Sequence, residues 1–390
     1  MTKAADTSFS ETKSAMTNNA TTNSSVTAST LPNQMSGVQL IGHGGLDKLV
    51  YQTDLAIPTP KADEVLIRVK ACGVNNTDIN TRIGWYSKGV TGQTNSGGKE
   101  GFDSANDDDA TWSGKPMELP RIQGADCCGE VVAVGAAVNA ERLGERVLVR
   151  SMQSLSGEDE AFDCFTFGSE CDGGFAQYAA VRANEVFAVN STMTDAELAS
   201  FPCAYSTAEN MIDRAQVKAG DTVLITGASG GVGSAAVQLA KRRNAKVIAV
   251  CGADKMAQLA EIGADQQVRR GDNLIETLGK NSVDVVIDLV AGPQWPELLE
   301  VIKVRGRYAV AGAIAGPIVD LDVRTLYLKD LTFFGCTFQP RHVFENLIRY
   351  IEQGEVQPLV AQTFPLHEIQ QAQQVFLDKQ FMGKLVLLPE

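Results

Sequence analysis

Residues 221–241 read DTVLITGASGGVGSAAVQLAK, which describes a strand, a glycine-rich turn and a helix. Val223, Leu224 and Ile225 form a short unbroken apolar run, the pattern of a parallel strand buried on both faces. The turn from Gly227 to Gly233 follows at once, and Val232, Ala235, Ala236 and Leu239 then recur at helical spacing. In a dinucleotide fingerprint the first small residue permits the tight turn, the second lets backbone approach the phosphates, and the third lets helix pack on strand. Ala228, Gly230 and Gly233 hold those places, and with Ser229, Gly231 and Val232 they are the expected cofactor-binding turn. The free N–H groups at the helix start would face a pyrophosphate. A bare glycine pattern is weak evidence, and the flanking strand and helix make this one specific.

C-terminal to residue 195 the sequence alternates helix and strand. Strands are expected at 246–251, 283–290, 307–312 and 331–338, with helices at 207–215, 254–262 and 295–302. That alternation predicts an α/β fold, a doubly wound parallel sheet with helices on both faces. A further helix carries Val343, Leu347, Ile348 and Ile351, and the run Gly383-Lys384-Leu385-Val386-Leu387-Leu388 reads as a last strand returning to the first domain. Upstream, 38–187 is a series of short strands and glycine turns, such as Glu64 to Lys70 and Gly129 to Gly135, expected to form a compact β-barrel-like domain. Two polar stretches, 87–118 and 151–173, interrupt it as lid, specificity element or plain surface insertion.

Residues 1–34 are Thr, Ser, Asn and Ala with almost no large apolar side chain, too little to offset ordering entropy. The expected organisation is a disordered extension over 1–36, a first domain over 37–195, a nucleotide domain over 196–340 and a return over 341–390. Met35 stands just before the first patterned segment and is an alternative start of translation. A net charge of −13 argues against nucleic acid or an anionic membrane as partner, and no apolar run is long enough to span a bilayer. Eight scattered cysteines suit reduced thiols in a cytosol.

A β-rich domain, an inserted nucleotide domain and a C-terminal return resemble the medium-chain dehydrogenase/reductase superfamily. The resemblance runs from about residue 37 to 390. It rests on Ala71-Cys72-Gly73-Val74-Asn75-Asn76-Thr77-Asp78, Gly124-Ala125-Asp126, Gly144-Glu145-Arg146-Val147, Gly173-Gly174-Phe175-Ala176-Gln177-Tyr178 and the glycine turn. It implies a Rossmann sheet beside a GroES-like β-barrel catalytic domain. In the zinc-dependent branch a Cys, a His and a second Cys hold a metal that polarises the alcohol oxygen. Here Asn75 and Ala125 stand at the first two positions, and only Cys203 remains. Amide and methyl groups cannot replace thiolate and imidazole for this ion. The three histidines, His43, His342 and His367, fall elsewhere. A site rebuilt from Asp126, Cys127, Cys128 and Cys203 is the alternative; the expectation is no metal.

The pattern thus resembles the zinc-free branch of NADPH:quinone oxidoreductases and related enal and enone reductases. An electrophilic acceptor needs mainly positioning and a hydrogen bond to its developing oxyanion. The second strand ends Val250-Cys251-Gly252-Ala253-Asp254-Lys255, with no carboxylate at the position that binds a ribose 2′-OH; Asp254, just past it, reads as a helix cap. Lys255 and Arg270 sit where the resembling reductases place groups for a 2′-phosphate, so NADPH is the expected cofactor, and Ala313 belongs at its nicotinamide end. Asn75, Thr77 and Tyr86 are the catalytic candidates as donors to the acceptor or nicotinamide. Thr77 reads equally well as a helix cap, and Asp78 as a partner of Arg82 or a backbone amide. The expectation is a cytosolic oxidoreductase taking a quinone or α,β-unsaturated carbonyl, dimeric through the last strands of the nucleotide domain. Its competitors are a zinc-type alcohol dehydrogenase with a rearranged site and a non-enzymatic NADPH-binding sensor.

Overall fold

The computed structural model describes residues 31–155 and 164–390. The extension expected to be disordered lies outside them up to residue 30, as do residues 156–163 of the second polar stretch. The first strand, Gln34–Leu40, starts ahead of the expected boundary at residue 37, and Met35 is buried within it.

Six parallel strands form the nucleotide sheet. In spatial order they are Gln266–Arg269, Lys246–Cys251, Thr222–Ile225, Val283–Asp288, Ile302–Val310 and Thr332–Gly335. Numbered along the chain this order is 3-2-1-4-5-6, the doubly wound arrangement. Val223, Leu224 and Ile225 are fully buried in the central strand, as an unbroken apolar run requires. The topology reverses direction between this strand and Val283–Asp288, so a crevice opens at their C-terminal ends, where ligands of such sheets bind. Gln266–Arg269 has only Val268 buried, and a polar edge strand of four residues carries no apolar signature to predict it from. The fifth strand begins at Ile302 rather than 307, directly at the end of helix Trp295–Val301.

A seven-stranded sheet makes the other lobe, ordered Val186–Ala188, Arg146–Val149, Cys128–Val134, Glu64–Val74, Lys384–Leu388 and Val360–Pro365, with Tyr178–Arg182 also paired to Glu64–Val74. Lys384–Leu388 lies antiparallel to Glu64–Val74 through the pairs Leu385–Val74, Val386–Gly73 and Leu387–Cys72. Helix Arg341–Glu352 instead sits with the nucleotide lobe. Its buried face of Phe344, Leu347, Ile348 and Ile351 joins the core shared by helices Pro202–Arg214 and Gly231–Arg242, and Tyr350 donates to Glu209 at 3.1 Å. The lobes are stitched at Gly383, whose N–H donates to Ser229 O at 3.2 Å and whose backbone bridges Gly230. Gly383 has φ +87°, and a Cβ there would stand 2.3 Å from Leu359 O, so only glycine fits.

Candidate active site

The crevice between the lobes is a cavity of about 750 Å³, bounded by the glycine turn, the strand-end turn at residues 310–314 and helix Asn76–Arg82. Gly230, in extended conformation, precedes the twelve-residue helix Gly231–Arg242 and offers no side-chain cap, leaving the first helical N–H groups for an anion. A Cβ on Gly233 would stand 2.3 Å from Gly227 O and 2.7 Å from Ala228 Cα, so this glycine lets the helix close on the turn. Gly230, Gly231, Val232, Gly233 and Ala313 line the crevice. Ala228 and Ser229 do not. Ala228 is fully buried and its N–H donates to Val250 O at 3.1 Å, which explains how alanine serves there.

Lys255 and Arg270 flank Cys251 at the end of the second strand. Burial and then Asp254 push that thiol up, and the two cations oppose the shift. Neither cation is on the crevice wall; Lys255 Nζ donates to Lys379 O at 2.5 Å. Lys379 does line the crevice, in left-handed conformation (φ +55°) at the end of helix Ile369–Asp378. Burial, then the neighbouring Lys255, lowers its ammonium to about 8. The sequence reading missed Lys379, whose neighbours here come from 124 residues away. The crevice has the glycine turn that a dinucleotide needs, and Lys255 and Arg270 stand by the end of the second strand, outside its wall.

At the opposite end, Asn75 caps helix Asn76–Arg82 in a capping box with Asp78, so the cap falls to Asn75 and not to Thr77. Asp78 accepts from Asn75 N at 2.7 Å and Ala125 N at 3.2 Å, the backbone role expected of it. Burial raises its carboxyl to about 7. Arg82 turns away and donates to Gln373, Gly44 O and Gly98 O. Asn75 spends its amide inside the protein: Nδ2 donates to Asp126 Oδ2 at 2.8 Å and Gly73 O at 3.3 Å, and Oδ1 accepts from Lys384 Nζ. Both of its donors are engaged, so none faces the crevice. Tyr86 donates to Thr77 Oγ1 at 3.1 Å, and both line the cavity. Beside them Asn80 is buried with its Oδ1 lacking any hydrogen-bond partner.

A second residue to which sequence reasoning gave no role in the site is Lys384. Its ammonium reaches Asp126 Oδ2 at 2.8 Å, with 3% and 0% of the two side chains exposed. Asp126 also accepts from Cys203 N at 2.7 Å, at the N-terminus of helix Pro202–Arg214, where a carboxylate is favoured. A lysine heading an apolar strand was the available signal. The pocket expected for a metal thus holds an ammonium, a carboxylate and an amide. Burial, then Asp126, pushes the Cys203 thiol up. Among the described residues no three His, Cys, Asp or Glu side chains are grouped to hold a metal ion, the set Asp126, Cys127, Cys128 and Cys203 included. These residues do not fit a zinc ion.

Residues 61–191 match the family model for an alcohol dehydrogenase GroES-like domain, and residues 231–353 match that for a zinc-binding dehydrogenase. A solved Sinorhizobium meliloti 1021 protein that carries the name alcohol dehydrogenase is 44% identical, with a TM-score of 0.84 over 92% of this chain and 98% of that one. The quinone oxidoreductase of Rattus norvegicus is 27% identical over 91% of this chain and 98% of its own length. The acryloyl-coenzyme A reductase of Metallosphaera sedula is 28% identical over 90% and 99%.

Proposed function

The chain belongs to the medium-chain dehydrogenase/reductase superfamily, in its quinone oxidoreductase-like branch, and is an NAD(P)H-dependent oxidoreductase; on that premise we propose that it reduces a quinone or an α,β-unsaturated carbonyl with NADPH and without catalytic zinc. The observation that carries this reading is the Lys384–Asp126–Asn75 cluster at the place of the metal. Lacking a Lewis acid there, an alcohol has nothing to lower its pKa, whereas a conjugated acceptor is already electrophilic.

Gly230, Gly231 and Gly233 would hold the pyrophosphate, Lys255, Lys379 and Arg270 the 2′-phosphate, and Ala313 the nicotinamide end; bound there, NADPH supplies the hydride. The Thr77–Tyr86 hydroxyl pair supplies a hydrogen bond to the acceptor oxygen as negative charge develops on it. Burial raises the Tyr86 phenol to about 12, so it stays protonated and keeps donating to Thr77, whose own O–H is the one turned to the acceptor oxygen. The proton completing the reduction comes from water. Asn75, with its amide engaged, acts by holding Lys384 and the helix start in place.

A homodimer through the outer edge of the nucleotide sheet is part of the proposal. Strand Thr332–Gly335 has one free edge, helix Val323–Leu328 has no buried residue, and Val323, Tyr327 and Leu328 are 58%, 59% and 70% exposed. A cytosolic location is supported by the free thiols of the seven cysteines whose state is described. No helix among the described residues is long and apolar enough to cross a membrane.

The test follows loss of reduced-nicotinamide absorbance with quinones, enals and simple ketones, alongside metal analysis of protein purified without chelator. Quinone or enal turnover with NADPH, little zinc and full activity in chelator are expected. About one zinc per chain with activity lost on chelation, which the catalytic-zinc chemistry would give, restores the alcohol dehydrogenase alternative. Cofactor binding without turnover of any acceptor restores the sensor.

A further inference from the structure

The polar stretch after Tyr86 is pinned to both lobes. On the catalytic side the fully buried Arg82 donates to Gly98 O at 2.9 Å while also holding Gly44 O and Gln373. On the nucleotide side Thr94 N donates to Ile314 O at 3.1 Å, next to Ala313. A Cβ on Gly98 would stand 2.7 Å from Leu377, and one on Gly97 would stand 2.3 Å from the Phe102 ring, so the stretch is also close-packed. It crosses from one lobe to the other beside the crevice.

Its inner face is aromatic. Trp85, Tyr86 and Trp112 line the cavity, with Trp85 anchored by its indole N–H to Gly92 O at 3.0 Å and set edge-on to Tyr86. The Thr77–Tyr86 hydroxyls line the same cavity, and Asn80 packs beside them with its Oδ1 buried. A lining of aromatic rings with hydroxyl groups among them matches a planar ring that carries oxygens.

We propose that residues 85–114 are the specificity wall of the acceptor site, and that their bridge at Thr94 and Ile314 narrows it to compact planar ring acceptors and excludes the long tail of acyl-coenzyme A thioesters. This deepens the quinone or enone reading and rests on it. Two measurements separate the failure of one from that of the other.

The first is turnover by the intact chain with NADPH. Wild type reduces 1,4-naphthoquinone with a kcat/KM about a hundredfold above acryloyl-CoA, since the excluded substrate is rejected by shape. Trp112→Ala raises the naphthoquinone KM about tenfold with kcat largely kept, and Trp112→Phe keeps the wild-type KM. Comparable turnover of acryloyl-CoA overturns the proposal and leaves the function standing. So does a Trp112→Ala enzyme with unchanged KM.

The second measurement needs no activity. Of the three tryptophans, Trp295 is buried in the nucleotide lobe against Tyr308, so ring binding in the crevice is reported by Trp85 and Trp112. Naphthoquinone in the presence of NADP is expected to quench that emission saturably, weakly in Trp112→Ala, and coenzyme A is expected to leave it unchanged. If no acceptor is reduced yet this quenching holds, the reductase reading falls and the wall stands. Equal quenching in Trp112→Ala, or saturable quenching by coenzyme A, overturns the wall.

Discussion

Replacing Lys384 by methionine keeps the length of the side chain and removes its charge, leaving Asp126 buried without a counter-ion. Both members of the pair are shielded from water, 3% and 0% exposed. Removing one partner of a buried ion pair costs about 3–5 kcal/mol, because the charge that remains is uncompensated. Asp126 keeps two hydrogen bonds, from Asn75 Nδ2 and Cys203 N, which places the expected loss near the lower end, at about 3 kcal/mol. For a folded unit of the length Pro32–Glu390 the unfolding entropy is roughly 0.8 kcal/mol/K, so Lys384→Met should lower Tm by about 4 °C. Scanning calorimetry of the cofactor-free protein measures this. The sign of the double variant is the sharper test. Lys384→Met with Asp126→Asn removes both charges while an amide oxygen still accepts from Cys203 N, so the double variant should be more stable than Lys384→Met alone. If Lys384→Met lies within about 1 °C of wild type, or if the two losses simply add, the ion pair does not fill the metal's place and the argument built on it fails.

Tyr86→Phe and Thr77→Val should each lower kcat/KM about tenfold, one hydrogen bond's worth, and the double variant should fall little further because the two hydroxyls bond each other; additive losses in steady-state kinetics would show that they act separately. Gly233→Ala drives a methyl into Gly227 O and Ala228 Cα, both backbone, and should abolish NADPH binding in a fluorescence titration; wild-type affinity would remove the turn from the site. In the proposed site Lys379 would hold a phosphate only while protonated, and its ammonium is lowered to about 8. NADPH affinity should therefore fall as pH rises through 8, by up to about tenfold per pH unit beyond it, while NADH affinity stays flat and Lys379→Met loses the dependence. Leu328→Asp should convert the proposed dimer to a monomer in sedimentation, and an unchanged dimer mass would move the interface elsewhere.

Local signals carried the nucleotide lobe. The apolar run at Val223–Leu224–Ile225 and the glycines after it depend on neighbours within one turn, and strand Lys246–Cys251 has the predicted limits. The polar edge strand Gln266–Arg269 escaped because pairing on one side asks little of its side chains. Sequence also exposed the missing metal ligands, since Asn75 and Ala125 are read directly. What replaced them was not legible. Lys384 meets Asn75 across 309 residues and Asp126 across 258, contacts that no periodicity encodes. The Asn75–Asp78 spacing is that of a capping box and is open to recognition, yet the sequence reading offers the cap to Thr77 as an equal alternative to a substrate role; structure shows that the Asn75 side chain, read as a substrate donor, is consumed by the fold.

The stitch at Gly383 and the lysine after it also bear on how the protein is made. Strand Glu64–Val74 leaves the ribosome long before Lys384–Leu388 arrives to pair with it, and Asn75 waits for its ammonium partner across the same 309 residues. At roughly 5–20 residues per second that interval is on the order of 15–60 s. During it the barrel has an open strand edge and Asp126 lacks its counter-ion, while the nucleotide sheet between them can be synthesised and folded whole. The nascent chain should therefore complete its nucleotide sheet before its acceptor site, and the barrel edge at Cys72–Val74 is the surface that folding helpers have to protect in the meantime.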